Sequence, residues 1–152
     1  MIIALGSDHA GLPLKRAILA ALEAGGHAVL DAGAHDETSV DYPDFAHPVA
    51  AKIVAGEAEF GVLVCGSGIG MCIAANRHPA IRAVVLHNTT EARLTRAHNN
   101  ANIACFGART IGVEVAQDAL AAFLMTPYEG GRHDRRLAKL APESLPQKVQ
   151  SA

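Results

Sequence analysis

The chain has 152 residues, half of them apolar and 18% charged, with a formal net charge of −2. That length holds one domain with a single substantial core rather than two ordinary ones, and the composition is that of a folded protein, not a disordered one. The slightly acidic balance lacks the broad basic excess that nucleic-acid binding needs, so no nucleic-acid partner is expected and any anion recognition must be local.

The chain starts Met1-Ile2-Ile3-Ala4-Leu5-Gly6-Ser7-Asp8, with no basic region and only a brief apolar run. This fits neither a secretory leader nor a membrane span, and the expectation is a cytoplasmic protein without a membrane partner. The apolar runs Ile2–Leu5, Ala28–Leu30, Gly61–Val64, Ala83–Leu86 and Ile103–Phe106 read as strands, and each pair is separated by a segment of helical periodicity. In the first of these segments Leu12, Leu14, Ala17, Ile18, Ala21 and Leu22 recur at helical spacing, and Gly25-Gly26 ends the pattern. Further helices are predicted over Phe45–Ala55, Ile69–Ala75, Glu91–Ala97 and Val113–Leu124, with Pro43, Pro48, Pro79 and Pro127 near element ends. A basic helix from Arg132 to Leu140 follows, with no strand to feed. The alternation predicts an α/β fold in which a five-stranded parallel sheet is covered by helices on both faces. Residues 1–141 are expected to form a single domain, and residues 142–152 a flexible C-terminal tail.

The third strand stops at Cys65 and runs straight into Gly66-Ser67-Gly68-Ile69-Gly70. Open parallel sheets place ligands at the carboxyl ends of their strands, and alternating glycines let successive N–H groups converge on one anionic oxygen. The helix that follows adds its positive end, which lowers a nearby thiol from its usual pKa of about 8.5 and makes a base or nucleophile available. Competing motifs fail: Met71 stands where a dinucleotide fingerprint wants glycine, no Lys-Ser/Thr pair completes a phosphate loop, and position 71 lacks a phosphatase arginine. A plain tight turn beside a small buried cysteine remains the bland alternative. Cys72 and Cys105 have no such loop and read as inert core residues. The set has no Cys-x-x-Cys spacing, so reduced thiols are expected rather than a disulfide framework or structural zinc.

At the same sheet edge Ser7-Asp8-His9 follows the first strand, either facing Cys65 or capping the first helix. His98-Asn99-Asn100 closes the fourth helix, as an acid/base group or as an ordinary C-terminal cap. Asp41-Tyr42-Pro43-Asp44 reads as a helix-entry turn from which Tyr42 can reach the site. In Gly130-Gly131-Arg132-His133-Asp134-Arg135-Arg136, cations at a helix start oppose the dipole, which points to an anion held by Arg132 and Arg136 together with Arg109. A solvated basic helix face is the alternative. No His or carboxylate set shows metal-ligand spacing, so neither a metal nor another cofactor is expected.

Taken in order, these motifs resemble the type B ribose-5-phosphate isomerases, a family that includes the galactose-6-phosphate and allose-6-phosphate isomerases. The resemblance runs over residues 2 to 140 and rests on Gly6-Ser7-Asp8-His9-Ala10-Gly11, Asp41-Tyr42-Pro43, Cys65-Gly66-Ser67-Gly68-Ile69-Gly70, Ala74-Ala75-Asn76, Arg82-Ala83, His98-Asn99, Phe106-Gly107-Ala108-Arg109 and Tyr128-Glu129-Gly130-Gly131-Arg132-His133. It implies a five-stranded Rossmann-like sheet in a three-layer α/β/α sandwich, in agreement with the alternation, and interconversion of ribose 5-phosphate and ribulose 5-phosphate, a step of the pentose phosphate pathway. By that resemblance Cys65 is the base that moves a proton between C1 and C2, and the N–H groups of Gly66, Ser67, Gly68, Ile69 and Gly70 stabilise an enediolate. Ser67 replaces a common threonine and its hydroxyl assists Cys65. His98 opens the sugar ring, Asp8 and Asn99 hold hydroxyls, and His9, Arg109, Arg132 and Arg136 bind phosphate. The resemblance further implies a homodimer or homotetramer with sites between subunits. Allose, galactose or tetrose phosphates are alternative substrates. Outside the isomerases, two rivals remain: a nucleotide-binding module and a phosphocysteine carrier.

Overall fold

The central strands are apolar on both faces, and the fold covers both. In the computed structural model, which describes residues 1–140, the elements run β1 (Ile2–Ser7), α1 (Leu12–Ala24), β2 (Ala28–Asp31), α2 (Pro43–Val54), β3 (Phe60–Cys65), α3 (Ile69–Ala75), β4 (Ala83–Val85), α4 (Thr89–Asn99), β5 (Ile103–Gly107), α5 (Val113–Met125) and α6 (Arg132–Leu137). The strands form one parallel five-stranded sheet in the order β2-β1-β3-β5-β4. The tail expected over 142–152 lies outside the described residues.

Alternate side chains of a strand point to opposite faces. Ile3, Leu5, Val62, Val64, Ala104 and Phe106 therefore pack with Leu14 and Ile18 of α1, Ala92 of α4 and Phe123 of α5. Their neighbours Ala4, Leu63, Cys65, Ile103 and Cys105 pack on the other face with Val49 and Ala50 of α2 and Met71 and Ala74 of α3. Burying one large aliphatic or aromatic side chain is worth about 1.5–3 kcal/mol, so the two layers supply the main drive for the fold. Within α1, Leu14, Ile18 and Leu22 form the buried stripe, and Gly26, with φ 76°, follows its end. Lys15 shares that buried side at 2% exposure, and its Nζ donates to Asp31 Oδ1, Asp31 Oδ2 and the Ala34 carbonyl at 2.7, 2.8 and 2.7 Å.

Several boundaries differ from the apolar runs, each for a local reason. β1 continues through Gly6 and Ser7 because Leu63 and Val64 of β3 carry the ladder on. The Asn88 side chain accepts the Glu91 N–H at 2.9 Å, which starts α4 earlier than its apolar residues do, and Asn100 (φ 46°) ends it in a left-handed cap. Pro48 lies inside α2 rather than near an end. Both Pro48 and Asp44, whose carbonyl loses its partner, are on the exposed side of the helix, where the loss leaves no buried polar group. α6 stops at Leu137, not Leu140, and this short helix places Arg136 in its last turn with Asp134 in its first. The dipole conflict inferred from the sequence therefore does not hold for Arg136, because a cation in the last turn is favoured.

Candidate active site

The strand register brings three carboxyl ends level: Ser7 lies beside Val64, and Cys65 beside Gly107. The chain leaves β1 for β2 on one side and returns to β3 on the other, which makes the β1/β3 boundary the switch point where such sheets open a crevice. A cleft of about 350 Å³ opens there, lined by Asp8, Tyr42, Cys65, Gly66, Ser67, Gly70, Arg109 and Thr110.

Cys65 is the last residue of β3 and 5% exposed, so its sulfur sits at the cleft floor without being a surface thiol. The backbone holds it: Gly68 donates its N–H to Cys65 Sγ at 3.1 Å, and the Cys65 carbonyl accepts the Ala108 N–H at 2.8 Å. The loop can turn this way because Gly68 has φ 77°, and a Cβ there would lie 2.9 Å from the Phe106 carbonyl carbon. Ser67 Oγ accepts the Ile69 N–H at 3.4 Å. Helix geometry leaves the N–H groups of Gly70 and Met71 without intrahelical acceptors, and they point toward the same end of α3. Gly70 gives way to a ring: a Cβ on it would stand 2.8 Å from Tyr42. Asp8, 7% exposed, accepts the Gly11 N–H at 2.8 Å and is thereby oriented, although the N-cap of α1 is Gly11 itself. Across the opening the Arg109 backbone N–H donates to the Gly66 carbonyl at 3.0 Å, and its exposed guanidinium lies over Gly66.

The remaining expected residues stand elsewhere. His9 accepts the Val40 N–H on Nδ1 at 3.2 Å and does not line this cleft. Ile69 is 56% exposed and turns outward. His98 and Asn99 end α4, with Asn99 on the wall of a larger groove of about 770 Å³ that also takes in Arg82, Thr95 and Leu137. Among the described residues, no side chain of α4 or α6 lines the Cys65 cleft. Arg132 and Arg136 are exposed on α6.

Around His98 the fold assembles a group that local sequence patterns miss. The His98 and His133 rings stack with centroids 4.5 Å apart and planes 10° off parallel. Glu129 Oε2 lies 3.8 Å from His98 Nε2 and 3.7 Å from His133 Nε2. The Glu129 N–H donates to the Ala97 carbonyl at 3.0 Å, which ties the connector between α5 and α6, residues 126–131, to α4. Burial first, then the neighbouring His98, Arg132 and Arg136, hold the His133 imidazole below its ordinary pKa, while Glu129 works the other way. The only signal in the sequence is the Glu129/His133 spacing, which means nothing until α4 is placed against it.

Thr110 is a further cleft residue without a sequence signature. Of the two thiols read as inert, Cys105 is buried and its pKa is pushed up by that burial. Cys72 departs from the expectation: it is half-buried, and the hydrogen-bonding Cys105 thiol, joined by the Asn76 amide, lowers its pKa to about 7 against the effect of burial.

A family model described as Ribose/Galactose Isomerase matches residues 3–140. The chain is 44% identical over 135 residues to ribose-5-phosphate isomerase B of Escherichia coli, covering 89% of this chain and 91% of that one. It is 40% identical to D-erythrulose-4-phosphate isomerase of Pectobacterium atrosepticum, covering 91% of each. Among solved structures, ribose-5-phosphate isomerase B of Clostridium thermocellum superposes with a TM-score of 0.90 at 45% identity, covering 91% of this chain and 94% of that one.

Proposed function

This chain belongs to the ribose/galactose isomerase family, and from that premise we propose how its residues carry out an aldose–ketose isomerisation. The protein is an isomerase that interconverts ribose 5-phosphate and ribulose 5-phosphate. The observation that carries the mechanism is the Cys65 sulfur at the cleft floor, held by the Gly68 N–H at 3.1 Å beneath an arginine.

In the open-chain aldose, Cys65 takes the proton from C2 while the carbonyl electrons move onto O1. The resulting enediolate is met by the N–H groups of the Gly66–Gly70 loop, which are already oriented before charge develops. Return of the proton to C1, with transfer of the hydroxyl proton from O2 to O1, gives the ketose. One base serves both directions, and neither the total electron count nor the substrate's oxidation level changes. Asp8 holds a sugar hydroxyl, Ser67 assists the thiol, and Tyr42 closes the cleft side. Arg109 takes the phosphate, and a planar guanidinium suits it because it meets two phosphate oxygens at once.

His98, Asn99, Arg132 and Arg136 complete this reading from a second copy of the chain, in a homodimer or homotetramer. Two features support that arrangement. Each half of the machinery in one chain lacks the other, and Ile69 and Ile73, 56% and 51% exposed, present an apolar stripe beside the Cys65 loop for a partner to cover. His9 belongs with the phosphate group in this reading. A cytoplasmic location is part of it too. No described helix is long and apolar enough to cross a membrane.

A second substrate reading is a tetrose phosphate, favoured by the similarity to D-erythrulose-4-phosphate isomerase. Both are decided by kcat/KM of the purified chain on ribulose 5-phosphate, erythrulose 4-phosphate and allose 6-phosphate, run in heavy water. The five-carbon substrate is expected to be preferred, with solvent deuterium appearing at the carbon that receives the proton. Complete retention of the original hydrogen would overturn proton transfer through an exchanging base.

A further inference from the structure

We propose that His98, Glu129 and His133 form a binding site for a zinc-class divalent cation, and that the cation acts there as an inhibitor. The binding stands on geometry alone, whereas the inhibition rests on the reading of His98 as the ring-opening acid/base.

Three donors from separate parts of the chain meet here: one imidazole nitrogen at the end of α4, one carboxylate oxygen on the connector, and one imidazole nitrogen in α6. All three ligand atoms lie within 4.8 Å of one another. Two imidazoles and one carboxylate are the donor set of three-ligand zinc sites that leave further positions to water, and they suit zinc, cobalt or nickel rather than magnesium or calcium. The scaffold is anchored on its buried side. His133 is 4% exposed and its N–H donates to the Gly130 carbonyl at 3.1 Å, while the Glu129 backbone is tied to Ala97. The open side consists of side chains free to move, His98 being 36% and Glu129 58% exposed. Zinc binds at about 2 Å from each donor, so the oxygen–nitrogen separations must shorten and the outer His98 ring must turn out of its stack. Rotation of one partly exposed imidazole and one exposed carboxylate supplies that adjustment.

Two effects set the strength in opposite directions. Burial favours the neutral imidazole of His133, the form that binds metal, although its Nε2 accepts from Arg132 Nε at 3.5 Å and that contact must give way. Arg132 and Arg136 are cationic neighbours of His133 and repel a dication. The same arginines attract the substrate phosphate in the reading above, so metal and sugar phosphate oppose each other at this end of the molecule.

The test is calorimetric titration of the purified full-length chain with zinc chloride in a non-chelating buffer, alongside isomerase rates at rising zinc. One ion per chain is expected, together with loss of activity at the same zinc concentrations. Glu129→Gln should weaken binding and raise the half-inhibitory concentration by about tenfold or more, each referred to that variant's own metal-free rate. Its exposed position preserves the fold, and His133→Gln provides a second ligand deletion checked by circular dichroism. Unchanged zinc affinity in both variants, or binding abolished by blocking the thiols, overturns the site. Zinc bound here with unchanged turnover overturns the inhibitory role. If the chain failed to isomerise any sugar phosphate, calorimetry would still decide the site, so the two readings fail separately.

Discussion

The Cys65 cleft and the His98 cluster are built in opposite ways. The cleft is made by backbone: strand register sets its floor, a left-handed glycine shapes its loop, and main-chain N–H groups hold its sulfur. The cluster is made by side chains converging from α4, a connector and α6, and two of its three members, His98 and Glu129, are partly exposed. Backbone geometry is fixed once the sheet forms, so the cleft is pre-organised for a developing charge. Side chains on a short terminal helix adjust, which suits groups that bind, release and pass protons. The proposed division therefore gives proton transfer between the two carbons to the rigid region, and ring opening and most of the phosphate capture to the adaptable one, and each substitution below tests it.

Removing the sulfur should have the largest effect. Cys65→Ala takes away the proposed base but leaves a small apolar side chain at the end of β3, so the fold survives while kcat falls by about 10²–10⁴. Rates on ribulose 5-phosphate, with circular dichroism as the folding check, decide it. A folded variant with full turnover would remove Cys65 from the mechanism.

Gly68→Ala strikes the same region through its backbone. A left-handed non-glycine residue costs about 1–2 kcal/mol, and forcing a methyl against the Phe106 carbonyl adds about 1–3 kcal/mol of overlap. Urea unfolding should show that loss together with reduced kcat. Equal stability and activity would mean that the loop is not the fixed cradle described here.

Arg136→Ala probes the adaptable region and should act on capture, raising KM about tenfold to hundredfold with kcat little changed, as expected for losing charged hydrogen bonds. Mixing it with Cys65→Ala sharpens the contrast. If the regions meet only between copies, a mixed dimer carries one site with both residues intact, and re-associated mixtures should recover about a quarter of wild-type activity at low substrate. Unmixed or within-chain sites give only the residual rate of the Arg136→Ala chains.

How much of this could be read from the sequence follows the same division. The sheet was legible because strand and helix periods differ. Cys65 and its glycines were legible because they are contiguous, and Asp8 and Arg109 because they follow strand ends at the same edge. The partnership of His98 with Glu129 and His133 was not, since it depends on how α4 packs against the connector. The helix-dipole argument for Arg136 assumed a longer α6 than forms, and a short helix puts that residue near the favourable end. Nor could the thiol chemistry of Cys72 be read, because its main cause, Cys105, comes from a distant strand.

Cys72 gives the smallest effect on turnover and the clearest separation of the thiols. Its pKa is lowered to about 7, so thiolate accumulates as pH rises through neutrality, well below the usual thiol range of about 8.5. Alkylation by iodoacetamide should therefore reach half its maximal rate near pH 7 at Cys72, as peptide mapping would resolve. Cys105 should stay unmodified while the protein is folded, because it is fully buried. Cys72→Ala should remove that labelling and change kcat/KM by no more than about twofold, the range of a substitution outside the working machinery. The comparison then rests on position rather than reactivity. Cys72 donates its Sγ–H to the Ala83 carbonyl at 3.3 Å and does not line the cleft, whereas Cys65 does. Loss of turnover in folded Cys72→Ala would show that proximity to the cleft floor has been misjudged and that two thiols, not one, serve the reaction.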